Sequence, residues 1–213
     1  FQLAAARDAG LITPKTLITN SAEEVARFVD EVNEVVYKPS LGGGLCRPID
    51  AAAMERLDIL AKAPVTFQER VRGASIRMTI IGSEVVSSVA IRSESLDYRN
   101  DPAYTGGKQE YEPIEIPDDI VNKVKRLLSS CGLVFSGVDF IQTESGAFVF
   151  LEANSSPIYL DVERKTGVPI TERLADYLLR AAQEPAWYRS EVDAGRKSFV
   201  AYALPFAPDR SVS

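Results

Sequence analysis

Asp139, Glu152 and Asn154 are the residues whose types and spacing first point to chemistry. They sit in a stretch from Ser136 to Asn154 that reads as a hairpin. A first strand runs from Val134 to Gln142, Glu144-Ser145-Gly146 supplies the turn, and a second strand returns from Ala147 to Glu152. Asp139 lies between Val138 and Phe140, and Glu152 follows the apolar run Phe148 to Leu151. A carboxylate in such a run is costly to desolvate unless something pairs with it. Strand alternation points Glu152 and Asn154 the same way, and hairpin pairing allows Asp139 to lie opposite them. Three oxygen donors on one sheet face, in a chain with no histidine, suit a hard cation such as Mg²⁺. Core carboxylates paired with Lys or Arg fit the same pattern, and spacing alone does not choose.

A second group of candidates precedes the hairpin. Lys38 ends the apolar strand Val35 to Pro39, and Gly42, Gly43 and Gly44 follow. A lysine is a compact charge suited to phosphate oxygens, and glycines let backbone N–H groups close on them. An exposed strand-end lysine before a flexible turn is the plainer reading. Gln68, Glu69, Arg70 and Val71 occupy a strand edge that could offer backbone groups to a flat base, or be an ordinary half-buried strand. Arg77 and Arg92, on the next two strands, are read as facing inward and needing anionic partners: a phosphate, a substrate carboxylate, or a salt bridge to Glu69 or Glu94.

The elements that must position these residues are legible in outline. The first ten residues read as the end of a helix stopped by Gly10, so a preceding segment is expected. Lys15 to Thr19 is a short strand, and Ser21 to Glu24 has the capping-box pattern for a helix from Ala22 to Val32. Asp50 caps a helix to about Lys62, Val65 to Val71 is a strand, and Ser75 to Ile81 and Glu84 to Ile91 form a hairpin around Gly82-Ser83. Ser93 to Gly107 is polar and irregular, as a lid, a substrate loop or a simply mobile segment would be. Helices are predicted from Asp118 to Cys131 and from Ile170 to Ala182. The tail from Glu184 to Ser213 is left unassigned, apart from a strand expected at Phe199 to Leu204. This order gives α+β with antiparallel sheet.

Composition narrows the classes. The chain has 213 residues, 46% hydrophobic and 25% charged, as in an ordinary globular protein. Its net charge of −6 and lack of a basic tract argue against a nucleic-acid surface. Its apolar runs are too short to span a membrane, and its first residues do not follow the signal-peptide pattern, so a cytoplasmic location is the default. Cys46 and Cys131 form neither a metal spacing nor a disulfide framework. Without histidine, Ser-His and Cys-His mechanisms are excluded within this chain.

Taken in order, a strand lysine before a glycine loop, a Gln-Glu strand, and Asp followed by Glu-x-Asn on a later hairpin resemble the ATP-grasp superfamily. The resemblance covers roughly Phe1 to Leu179. Ser75-Ile-Arg77, Asp97-Tyr-Arg99, Tyr111-Glu-Pro113, Phe150-Leu-Glu-Ala-Asn154 and Thr166-Gly-Val-Pro-Ile170 look like its peptide-modifying branch, the graspetide (microviridin-type) macrocyclases and relatives of ribosomal protein S6 glutamate ligases. The resemblance implies two antiparallel-sheet lobes gripping ATP, with the family's N-terminal lobe missing. About 12–72 would be the smaller lobe, about 73–183 the larger metal-binding lobe, and 184–213 an extension. Lys38 would bind phosphate under Gly42 to Gly44, Gln68 to Val71 would border adenine, and Asp139, Glu152 and Asn154 would hold Mg²⁺. Arg77 and Arg92 would hold the transferring phosphoryl group or a carboxylate. The implied activity is ATP- and Mg²⁺-dependent carboxylate ligation through an acyl phosphate, on a peptide or small carboxylate substrate, with a homodimer allowed. A non-catalytic nucleotide- or peptide-binding module is the alternative. Ser75 replaces the family's usual Asp or Glu, and Ser155-Ser-Pro157 follows Asn154 where the macrocyclases commonly carry Gly-Gln-Trp.

Overall fold

The computed structural model describes residues 2–40, 44–57 and 62–196. Two antiparallel sheets form its frame. The first contains β1 (Thr16–Thr19), β2 (Val35–Pro39), β3 (Arg47–Pro48) and β4 (Val65–Glu69), in the order β1-β4-β2-β3. The second contains β5 (Ala74–Ile81), β6 (Glu84–Arg92), β7 (Glu110–Pro113), β8 (Phe135–Gln142) and β9 (Phe148–Asn154), in the order β7-β6-β5-β8-β9. The predicted α+β class with antiparallel sheet is what the chain adopts.

Helix α1 (Gln2–Asp8) ends before Gly10, whose φ of +85° makes the predicted stop. Helix α2 (Ala22–Glu31) covers the four-stranded sheet through Val25, Phe28 and Val29, packed with Val35 and Phe67. Its cap departs from the predicted reciprocal box. Ser21 Oγ accepts the Glu24 N–H at 3.4 Å, but the Ser21 N–H is taken by Thr19 Oγ1 at 3.0 Å. The Glu24 carboxylate instead accepts from the Thr19 hydroxyl. Helix α3 (Ala51–Met54) has the expected Asp50 cap but is shorter than the predicted span, which continues into residues outside those described.

Helix α4 (Pro102–Thr105) and a single 3-10 turn at Tyr98–Asn100 give structure to the loop expected to be irregular. Each begins at an aspartate, Asp97 or Asp101, whose side chain accepts a backbone N–H of the first turn. Helix α5 (Asp118–Ser130) buries Val124, Leu127 and Leu128 against Ile76, Met78, Ile80, Phe140 and Phe150, the main core. Helices α6 (Leu160–Thr166) and α7 (Ile170–Gln183) follow the second hairpin. Helix α8 (Pro185–Arg196) lies in the tail left unassigned by sequence. Trp187 anchors it, edge-on to Tyr177 and beneath the Arg180 guanidinium at 4.0 Å. The strand expected at 199–204 lies outside the described residues.

One irregularity in the second hairpin decides what faces the cleft. Phe140 pairs with Phe150, but the neighbouring Asp139 pairs with Glu152, so Leu151 is an extra residue in β9. Phe148 and Phe150 therefore point into the core, while Glu152 points to the opposite face beside Asp139. Strict alternation would have placed Phe150 and Glu152 on the same face.

The two sheets are linked through Arg70 to Gly73. Gly73 has φ of +152°, and a Cβ there would stand 2.1 Å from the Gln142 carbonyl oxygen. Backbone cannot yield to that contact as a flexible side chain would. Gly73→Ala is therefore expected to destabilise the protein by about 2 kcal/mol or more, read from the shift in urea denaturation midpoint. An unchanged midpoint would show that this junction is not as tight as described.

Candidate functional site

A cleft of about 230 Å³ lies between the sheets. It brings together most of the candidates, and each comes from an element already described. Lys38 arrives near the end of β2, and Gln68 to Val71 arrive where β4 leaves the four-stranded sheet. Arg77, Asp139, Glu152 and Asn154 arrive from the cleft face of the five-stranded sheet. There the pairing aligns Arg77 with Asp139 and Asp139 with Glu152, a polar row across β5, β8 and β9. Their sequence neighbours Ile76, Met78, Val138 and Phe140 bury the other face, so alternation over an apolar core forces the row into the cleft.

The centre of the row is a bidentate ion pair. Arg77 Nε donates to Asp139 Oδ1 and Nη2 to Oδ2, both at 2.8 Å. The two side chains are only 12% and 17% exposed, so this pair is largely withdrawn from water. Burial pushes the Asp139 carboxyl up, with the guanidinium opposing it. Burial also works against the charge on Arg77, but the bonds to Asp139 prevail and hold it above its ordinary range. Arg77 further donates through Nη1 to the Ile158 carbonyl at 3.4 Å, and its guanidinium stands 5.7 Å from the centre of the Tyr98 ring. Burial pushes the Tyr98 hydroxyl up to about 12, so it is protonated at neutral pH.

Lys38 is held differently. Its Nζ reaches Glu152 Oε2 at 3.5 Å, with side-chain exposures of 28% and 46%. A long, half-exposed, single contact of this kind contributes roughly 1 kcal/mol or less. An anionic ligand in the cleft could take over Lys38, and a cation Glu152, at small cost.

The oxygen donors fit a hard divalent cation. Asp139 and Glu152 are adjacent carboxylates, and Asn154 adds an amide on the same strand. Asn154 Oδ1 already accepts the Ser156 N–H at 2.8 Å, which fixes the orientation of its amide. Each of these oxygens keeps lone-pair capacity beyond its present bond. Among the described residues, no three His, Cys, Asp or Glu side chains cluster in a metal-binding arrangement. Two carboxylates and an amide match the partial cage that Mg²⁺ commonly takes, with substrate phosphates completing it.

Other candidates fall elsewhere. Arg92 was expected to face inward, and it does not line the cleft. It is the last residue of β6 and lies 65% exposed, with Glu112 at 2.9 Å and Glu110 at 4.0 Å. The nearer anions on β7 draw it to the solvent side. Gly42 and Gly43 lie outside the described residues, and Gly44 packs on Pro39. Gln68 is buried and donates to Thr16 Oγ1 at 3.1 Å, while Glu69 accepts the Lys15 N–H at 3.2 Å. Both side chains thus tie β4 to β1 and the residue before it.

The polar loop read as a lid, a substrate loop or a mobile segment also lines the cleft, through Asp97, Tyr98 and Arg99. Their signal was present as two opposite charges flanking an aromatic in a polar loop.

This architecture has known counterparts. The model of the RimK-like ATP-grasp domain matches residues 2–178, and the chain belongs to that family. It is 28% identical over 182 residues to the tetrahydromethanopterin:alpha-L-glutamate ligase of Methanocaldococcus jannaschii, covering 78% of this chain and 60% of that protein. Among solved structures, the ATP-grasp ligase PsnB, complexed with a phosphomimetic variant of its minimal precursor, Mg and ADP, superposes with a TM-score of 0.74 at 34% identity. That match covers 84% of this chain and 56% of PsnB. The macrocyclase MdnC from Microcystis aeruginosa MRC, bound with precursor peptide MdnA, gives a TM-score of 0.73 at 28% identity, covering 84% and 59%. The chain thus spans about three fifths of the length of these proteins. Among the described residues, no helix is long and apolar enough to cross a membrane.

The buried pair makes a sharp expectation. Arg77→Leu leaves the Asp139 carboxylate without its partner and should cost about 3–5 kcal/mol of stability. The double variant Arg77→Leu/Asp139→Leu should recover a large part of that loss. Denaturant titration of the single and double variants measures the coupling, and purely additive effects would contradict it.

Proposed function

We propose that this chain is the nucleotide-binding and phosphoryl-transfer part of an ATP- and Mg²⁺-dependent carboxylate ligase that modifies a peptide or protein side chain. The observation that carries the proposal is the cleft itself. A weakly held Lys38 on one sheet faces two carboxylates and an amide on the other, with a rigid arginine pair beneath. The four-stranded sheet, about residues 12–72, would be the nucleotide lobe, and residues 73–183 the lobe that carries the metal donors.

In this reading Lys38 exchanges its loose contact with Glu152 for phosphate oxygens of ATP. The backbone of Gln68 to Val71 borders the base. Asp139, Glu152 and Asn154 would hold Mg²⁺, which when bound would offset the charge of the phosphates. Arg77 fixes the orientation of Asp139, and its remaining N–H groups favour an anionic group above the sheet. The substrate carboxylate attacks the γ-phosphorus and ADP leaves. An amine or hydroxyl then displaces phosphate from the acyl phosphate, forming an amide or ester. No nucleophile from the protein is needed, in keeping with a chain that has no histidine. A peptide substrate is supported by PsnB and MdnC, both seen with precursor peptides, and amide formation by the alpha-L-glutamate ligases.

Calorimetric titration of ATP, with and without Mg²⁺, followed by ADP release with candidate peptides, tests the proposal on the full-length enzyme. Asp139→Asn and Glu152→Gln should each lower turnover by about 100-fold or more. Chelation of Mg²⁺ should abolish it. Nucleotide binding without turnover on any carboxylate would favour a binding module, and wild-type rates in both variants would falsify the metal assignment.

A further inference from the structure

Strand β9 is the outer strand of the five-stranded sheet and pairs with β8 along one edge. Ala153, between Glu152 and Asn154, is 4% exposed and sends its methyl group into the main core. Its backbone polar groups turn away from β8. The Ala153 N–H donates to Gln2 Oε1 at 3.2 Å, and the Ala153 carbonyl accepts from Gln2 Nε2 at 2.6 Å. In an antiparallel ladder the N–H and C=O of one residue point to the same side. A residue that gives both to Gln2 therefore gives neither to β8.

This contact is more than a tether for α1. That helix is already seated by the fully buried Ala6, with Leu3 and Ala5 against the same core. The ladder with β8 is interrupted at Leu151, immediately before Glu152, so the last residues of β9 lack continuous pairing on that side. A glutamine amide carries a donor and an acceptor side by side, the same pair that a neighbouring strand presents. The groups it holds also belong to particular peptide units. The Ala153 N–H lies in the plane that joins Glu152 to Ala153, and the Ala153 carbonyl in the plane that joins Ala153 to Asn154. Each plane is rigid and contains the Cα of the flanking residue. Fixing both planes fixes where Glu152 and Asn154 start their side chains into the cleft.

We infer that Gln2 is a positioning residue: its side-chain amide stands in for a neighbouring strand at Ala153 and sets the spacing of the Glu152 and Asn154 oxygen donors for a divalent cation. Gln2 is on the outer edge of β9 and acts through Ala153 alone. The consequence for a bound metal ion rests on the reading of the site given above. The two-point grip rests on the contacts.

Two measurements on the full-length protein test this. Gln2→Met keeps the length of the side chain and removes both hydrogen bonds. Hydrogen exchange at the Ala153 amide, followed without any ligand, should be at least about tenfold faster in this variant than in the wild type. Calorimetric titration of ADP is then run in Mg²⁺ and again in EDTA. Affinity in Mg²⁺ should fall by about tenfold in Gln2→Met, the size expected when the support behind a metal ligand is lost. Affinity in EDTA should stay within about twofold of the wild type, because only the metal-dependent part of binding passes through Glu152 and Asn154. Faster exchange with wild-type affinity in Mg²⁺ would show that Gln2 only covers the strand edge, and would overturn the inference. An equal loss of affinity in Mg²⁺ and in EDTA would mark a general loss of structure and would overturn it as well. A wild-type protein that binds ADP no tighter in Mg²⁺ than in EDTA would remove the metal reading itself, and the role of Gln2 with it. Where Gln2→Met does not fold, Gln2→Asn, whose amide is one methylene shorter and cannot keep both bonds, carries the same readings.

Discussion

A guanidinium locked on a carboxylate between two strands, Arg77 on Asp139, is the interaction on which the cleft depends. Neither group could occupy this face alone without a large desolvation penalty. Together they allow a hydrophobic sheet to carry charge on one side while Ile76, Met78, Val138 and Phe140 fill a continuous core on the other. The pair also divides the polar groups into two kinds. Those beneath are rigid, bidentate and nearly dry. Those above, Lys38 and Glu152, are looser and open to exchange with a ligand. A site that must admit phosphate and release it needs both.

The four-stranded sheet contributes position more than packing. Its own small core, Val25, Val32, Val35 and Phe67, is separate from that of the larger sheet. The chain joins the sheets at the tight turn of Gly73 and again just before β1, where Ile12 bridges Val149 of β9, and polar contacts across the cleft add to this joint. Such a joint favours small relative adjustments of two firm bodies over deformation within either.

Much of this was legible in the sequence, because the relevant elements are governed by local rules. The helices from Ala22 and Asp118, the hairpin at Gly82-Ser83 and the strand ending at Pro39 carry their caps, turns and alternation in adjacent residues. Asp139, Glu152 and Asn154 stood out because carboxylates interrupt an apolar hairpin. What escaped depends on contacts distant in sequence. The orientation of Arg92 is set by Glu112 and Glu110, which belong to a strand too short and too polar to announce itself. Helix α8 has weak periodicity and is secured by Trp187 against Tyr177 and Arg180. The loop at Asp97 was taken as irregular because nothing local says that its carboxylate meets the Cys46 amide.

The extra residue at Leu151 has a consequence of its own. A pleated strand has a period of two, and one added residue shifts its phase by half a cycle. Upstream of Leu151 the even-numbered positions face the core, and downstream the odd-numbered Ala153 does while the even-numbered positions face the cleft. Phe148, Phe150 and Ala153 therefore answer to the demands of packing, and Glu152 and Asn154 to those of the cleft. The length of β9 between these blocks is constrained more tightly than the identity of the residue that fills it.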